Sequence, residues 1–240
     1  IITGAEWLTM FDLILVHGKI LDGCGNPWFW GDIGIQDGRI AAVAPAGMLR
    51  GKRVLNVDGR FVAPGFMDVH THSDLSILIN RRAESAVRQG VTTQIMGNCG
   101  LSPAPVSEAY LEEMRRYWGR MAYQPEVTWR WRTFAQYLQT LEEGGLAINL
   151  ASLAGHGALR IAVMGFEERE PTSVERSRMV ELLDEAMRSG AFGLSTGLVY
   201  PPGCFARTDE IIALSRVAAR YGGLYASHVR GERETVVEAV

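Results

Sequence analysis

From Phe61 onward, short apolar runs alternate with longer amphipathic stretches, and this alternation limits the fold more than any other feature. The runs at 61–70, 92–98, 147–154, 192–196 and 224–228 have the length of strands. The stretches at 80–89, 107–120, 132–143, 173–189, 208–221 and 232–240 have helical spacing. Apolar runs with little polar alternation suit parallel strands covered on both faces. Strand–helix repetition of this length predicts an α/β fold, with the closed (β/α)8 TIM-like barrel as the leading case. Residues 11–60 read differently, as short strands and turns with an Asp37-Gly38 hairpin signal, and so as a small β-domain. Residues 1–10 then form an extension, and 61–240 the N-terminal portion of a barrel.

Reactive residues of such barrels sit at the C-terminal ends of strands. Here the first run ends in His70-Thr-His72, the second enters Gly97-Asn-Cys99-Gly100, the third ends in Gly155-His156-Gly157, and the fifth ends in His228. Four of the five histidines therefore fall at strand ends. In a strand, residues i and i+2 share a face, so His70 and His72 read as half of a metal site or, in the bland case, as an exposed turn. Asp74 continues the parity and is placed to orient an imidazole. Cys99, between two glycines, offers a soft thiolate, and His228 a third imidazole; that donor set suits zinc. His156 reads either as a direct participant or as a hydrogen-bonding partner of a loop.

Tyr200 precedes Pro201-Pro202-Gly203, a stiff loop, and reads as a substrate contact or as a ring packed on prolines. The aromatic-rich excursion at 101–145, which includes Tyr123, reads as helix packing rather than a roof over the site. His17, Cys24 and Cys204 read as structural.

Composition narrows the function. The chain is 47% apolar and 21% charged, enough to build a core. A net charge of −3 makes no case for nucleic acid. No apolar run approaches the roughly 20 residues that span a bilayer, and no signal-peptide pattern opens the chain. Three scattered cysteines make no disulfide framework, so a reducing cytoplasm is the expected location.

Ala63-Pro-Gly-Phe-Met-Asp-Val-His-Thr-His-Ser-Asp74, Gly97-Asn-Cys-Gly-Leu-Ser102, Gly155-His-Gly-Ala-Leu-Arg160, Gly193-Leu-Ser-Thr-Gly-Leu-Val-Tyr-Pro-Pro-Gly203 and Ser227-His228 together resemble the N-acyl-D-amino-acid deacylases (D-aminoacylases) of the amidohydrolase superfamily. The resemblance implies a zinc barrel with an appended small β-sandwich. It also implies a tight metal position held by Cys99, His228 and a further histidine, and a weaker one at His70 and His72. The substrate implied is a small N-acyl-D-amino acid, with Tyr200 and His156 as candidate contacts.

The family's aspartate general base is expected beyond residue 240. An eight-stranded barrel needs roughly 250 residues, and about five strands are legible here. The chain also starts without methionine, with a plausible start at Met10, and stops in a helical pattern, so a fragment is expected. The alternatives are a cyclic amidohydrolase of the hydantoinase or dihydroorotase kind, or a non-catalytic scaffold. The cyclic enzymes usually rely on a barrel lysine; the only lysines here are Lys19 and Lys52, both before the barrel.

Overall fold

The computed structural model describes residues 10–121 and 124–240. The expected N-terminal extension, apart from Met10, and Tyr123 lie outside the described residues. The chain divides into two compact units, one ending at Gly65 and the other beginning at Phe66.

The first unit is a five-stranded sheet. Strands β1 (Met10–Ile20), β2 (Phe29–Gln36), β3 (Arg39–Ala44) and β4 (Arg50–Asn56) lie in the order β3-β2-β1-β4, and β5 (Phe61–Val62) also pairs with β1. Asp37 and Gly38 take φ of 51° and 72°, the left-handed pair that a two-residue hairpin needs between β2 and β3. β1 meets β4 along its first half and β5 near its end, both in parallel. Residues 11–60, expected as the N-terminal part of a small β-sandwich, contribute one sheet among the described residues. The 11-residue β1 is long enough to pair with β2 on one edge and with both β4 and β5 on the other. His17 sits in the left-handed region at a break in the β1–β2 register, 3.2 Å from Asn56 Oδ1 through its Nδ1. That is a structural role.

The second unit carries five parallel strand positions in chain order. β6 (Phe66–Asp68), β7 (Val91–Met96) and β8 (Asn149–Ser152) form one sheet; β9 (Ala154–Gly155), β10 (Gly193–Gly197) and β11 (Leu224–His228) form another. β8 and β9 are one run with Leu153 between them. Leu153 N–H donates to Met96 O and Phe192 N–H to Ser152 O, so the run joins β7 on one side to β10 on the other.

Helices fill the crossovers, α1 (Ser76–Ile79), α2 (Glu84–Val87), α3 (Leu111–Met121), α4 (Phe134–Glu142), α5 (His156–Met164), α6 (Ser173–Arg188) and α7 (Thr208–Arg220), and α8 (Val236–Ala239) follows β11. α4 and α6 open on reciprocal capping boxes, Thr133 with Gln136 and Thr172 with Glu175, which satisfy otherwise orphaned N–H groups. None of the helices among the described residues is long and apolar enough to cross a membrane.

Three expectations change. The run at 61–70 is not one strand: Pro64 lacks an N–H to donate, the pairing stops, and Phe61–Val62 joins the first unit while Phe66–Asp68 starts the second. The helix expected at 80–89 is a single turn, α2, preceded by another outside that range, α1; that at 232–240 shortens to α8. α5 was not anticipated, because Gly155-His-Gly157 reads as loop although Ala158–Met164 is strongly helix-forming.

The aromatic excursion packs as expected. Trp118, Trp131 and Tyr137 are buried, with Trp131 Nε1–H donating to Pro103 O and Tyr137 O–H to Asp74 O.

Candidate metal centre

β6 stops at Asp68, so His70 and His72 follow the strand rather than end it. The two imidazoles are brought together by the turn after the strand, not by strand parity. Thr71, between them, donates its N–H to Ile95 O at 3.1 Å, extending the pairing with β7 by one residue and fixing the turn. The two rings stand 5.5 Å apart.

Cys99 follows β7 in an unusual conformation. Gly97, Cys99 and Gly100 all have positive φ, of 77°, 55° and 72°. Gly97 is obligatory there, since a Cβ would collide with the backbone of Leu153. A non-glycine residue in this region carries a backbone cost of about 1–2 kcal/mol. In return the thiol lies 3.3 Å from His70 Nε2 and 3.7 Å from His228 Nδ1. His70, His72 and Cys99 offer donor atoms that all lie within 4.8 Å of one another. A tetrahedral zinc with ordinary Zn–S and Zn–N bonds would separate sulfur from nitrogen by about 3.6 Å, which the two thiol–imidazole distances bracket. The residues present therefore fit a borderline divalent cation.

His228 ends β11, in register with Gly197 of β10. Its Nδ1 faces Cys99 and also Tyr200 Oη, at 3.2 Å. Its Nε2 lies 2.9 Å from Glu232 Oε1. Sequence reasoning did not single out Glu232; the His-x-x-x-Glu spacing was its only signal. Tyr200 is held by Cys204 N–H donating to its carbonyl, and its ring stands edge-on to His228 with centroids 4.8 Å apart. His70, His72, Cys99, Tyr200, His228 and Glu232 together line a cavity of about 410 Å³.

The electrostatics describe a site set for a cation. Burial and the neighbouring His70 and His228 hold the His72 imidazole below its usual range, which keeps a lone pair free. Burial and the Glu232 charge push the Cys99 thiol up, so a bound cation would be what draws it to the thiolate.

Two expectations move away from the centre. Asp74 does not orient an imidazole: it is fully buried, neither carboxylate oxygen meets a hydrogen-bond partner, and burial pushes its carboxyl up to about 7. His156 is not brought to the cavity. It is buried at the start of α5 with Nε2 2.7 Å from Glu210 Oε1, while Arg160 Nη1 donates to Glu210 Oε2, also at 2.7 Å. Burial disfavours the Glu210 charge, yet the hydrogen bond with His156 and the nearby Arg160 hold its carboxyl below the usual range. The Gly-His-Gly motif thus contributes a packed strut between α5 and α7. Its partner lies 54 residues away and left no local signal.

The profile described as the Amidohydrolase family matches residues 53–226. The chain is 40% identical over 237 residues to a D-aminoacylase of Alcaligenes xylosoxydans xylosoxydans, covering 96% of this chain and 46% of that protein. It is 40% identical over 230 residues to an N-acyl-D-aspartate deacylase of the same organism, covering 95% and 45%. Among solved structures, an N-acyl-D-glutamate deacylase of Bordetella bronchiseptica, complexed with zinc and a phosphonate mimic of the tetrahedral intermediate, superposes with a TM-score of 0.82. That match has 35% identity and covers 96% of this chain and 48% of that one. The chain spans about half the length of the relatives it matches.

Proposed function

The chain belongs to the amidohydrolase family, and on that premise we propose that its protein hydrolyses the linear amide of N-acyl-D-amino acids to a D-amino acid and a carboxylate, with zinc as the cofactor. The observation that carries the reading is the Cys99 thiol within 3.3 Å and 3.7 Å of two imidazoles, one following β6 and one ending β11, in the lining of one cavity. Relatives whose names specify N-acyl-D-amino acid hydrolysis, one of them with zinc bound, supply the substrate class.

His70, His72, Cys99 and His228 would hold the metal. When bound, such an ion supplies Lewis acidity toward the acyl carbonyl and makes a water acidic enough to attack near neutral pH. The chain's own residues do the rest of what falls to this half of the site. Cys99, once drawn to the thiolate by the ion, would lower the net charge of the centre. Glu232 holds the Nε2 side of His228 and leaves Nδ1 as the donor nitrogen. Tyr200 projects its hydroxyl beside that nitrogen, where it can hydrogen-bond a substrate carbonyl or carboxylate. The aspartate that would move the proton to the leaving amine is expected beyond residue 240, as the resemblance implies.

The test is an assay of the native protein on an N-acetyl-D-amino acid, its L-enantiomer and a hydantoin, before and after exhaustive chelation. Hydrolysis of the D-enantiomer alone, lost on chelation and restored by zinc, is expected. Full activity after chelation, or turnover of the hydantoin in place of the D-amide, would overturn the proposal.

A further inference from the structure

The Cys99 thiol owes its aim to a backbone conformation that cysteine does not favour, so something must hold it there. Four residues, Gly97 to Gly100, make the turn, and three of them are left-handed. Asn98 braces it from within: its Nδ2–H donates to Ile95 O, and Leu101 N–H donates to its carbonyl. Neither bond spans the turn from one glycine to the other.

One side chain does. Ser195, fully buried in the middle of β10, accepts a hydrogen bond from Gly100 N–H at 3.0 Å and donates its hydroxyl proton to Gly97 O. A single hydroxyl thus satisfies the acceptor before Asn98-Cys99 and the donor after it. Both groups are interior, where unpaired backbone polar atoms are costly.

The anchor is itself rigid. Ser195 pairs in register with Gly155 of β9 on one side and Ala226 of β11 on the other. Two residues on, Gly197 lies so close to Cys99 that a Cβ there would collide with the cysteine carbonyl, and Gly197 is the register partner of His228. β10 therefore touches the thiol's backbone and the imidazole's strand together.

We propose that Ser195 is a positioning residue for the metal centre: its hydroxyl clamps the Gly97–Gly100 turn, keeps Cys99 left-handed, and so sets the spacing between the Cys99 thiolate and His228. The part that concerns metal rests on the zinc reading above; the part that concerns the turn stands on the backbone geometry alone.

Cobalt(II) titration of the native, metal-stripped protein tests it, because a cobalt–thiolate bond has its own near-ultraviolet charge-transfer band. Ser195→Ala is expected to bind cobalt roughly tenfold more weakly, with a weaker band per bound ion. Ser152→Ala is the control: that serine is equally interior, its hydroxyl reaches only Leu153 O at 3.4 Å, and it should titrate like the wild type. A Ser195→Ala protein with wild-type affinity and band overturns the proposal.

A second measurement separates a clamp from general packing and survives a Ser195→Ala protein too unstable to titrate. Glycine is at ease with positive φ. The cost of the two unpaired backbone groups is common to both backgrounds, so the Tm lost on Ser195→Ala should be smaller in a Cys99→Gly background than in the wild type by the part that holds cysteine left-handed. Equal losses in the two backgrounds overturn the clamp. Should the wild type itself show no thiolate band, the zinc reading fails, and the Tm comparison still judges Ser195.

Discussion

Glu232 Oε1 lies 2.9 Å from His228 Nε2, while the ring's other nitrogen faces Cys99 Sγ at 3.7 Å. A carboxylate on one nitrogen and a thiol near the other is the arrangement that fixes a tautomer for metal binding. Removing such an outer partner typically lowers metal affinity by about 10–100-fold. Glu232→Gln is expected to weaken zinc binding by about tenfold, measured by competition with a chromophoric chelator. Unchanged affinity would show that the carboxylate, which is largely exposed, is a bystander.

Cys99 is the only thiol in the cluster of candidate donors. Cys99→Ala should abolish stoichiometric zinc retention after gel filtration, and Cys204→Ala should leave it intact. Elemental analysis of the two variants beside the wild type checks this; zinc retained by Cys99→Ala would exclude the thiolate as a ligand.

Tyr200 Oη stands 3.2 Å from His228 Nδ1, on a loop braced from the strand-end side by Arg230, which donates to the carbonyls of Cys204 and Ala206. Tyr200→Phe keeps the ring and its packing but removes the hydroxyl. One hydrogen bond is worth about 1 kcal/mol, so kcat/KM should fall by roughly five- to tenfold with little change in Tm. A large drop in Tm with unchanged kinetics would assign the residue to packing.

The His156–Glu210–Arg160 strut gives the opposite signature. Breaking a buried ion pair by removing one member costs about 3–5 kcal/mol. Glu210→Ala should therefore lower Tm by roughly 10 °C, given the 2–4 °C per kcal/mol expected for a chain of this size. Zinc bound per folded molecule should stay constant. Loss of zinc at unchanged Tm would return His156 to the site.

The α6 capping box predicts a pH dependence of stability. The Arg169 guanidinium and the Thr172 backbone N–H hold the Glu175 carboxyl down to about 2, from an ordinary value of 4.5. The folded state thus binds the proton less tightly than the unfolded one. The stabilisation is complete above the unfolded value and is lost as pH falls from about 4.5 toward about 2. The Tm difference between wild type and Glu175→Gln should be constant from pH 6 to 8 and shrink between pH 5 and 3. A difference independent of pH would mean that the carboxylate charge is immaterial to the cap.

Much of this was legible in the chain. The strands ending near His70, Cys99 and His228 were readable because buried parallel strands are short apolar runs, and the donors follow those runs directly. α6 was readable because residues 173–189 carry helical apolar spacing. The break at Pro64 was equally local, since a residue without an N–H cannot continue a ladder, yet the apolar pattern on both sides masked it.

What the order of residues decided by itself was local: donor types, strand and helix periods, and the glycines that permit positive φ at 97 and 100. Only the tertiary structure decided which distant groups meet. Cys99 and His228 are 129 residues apart, His156 and Glu210 are 54, and Ser195 reaches Gly97 across 98. Periodicity extends over a turn or a strand, whereas these contacts depend on the register in which β9, β10 and β11 pair. That register turned a motif histidine into a buried strut and an unremarked serine into the clamp on the thiol.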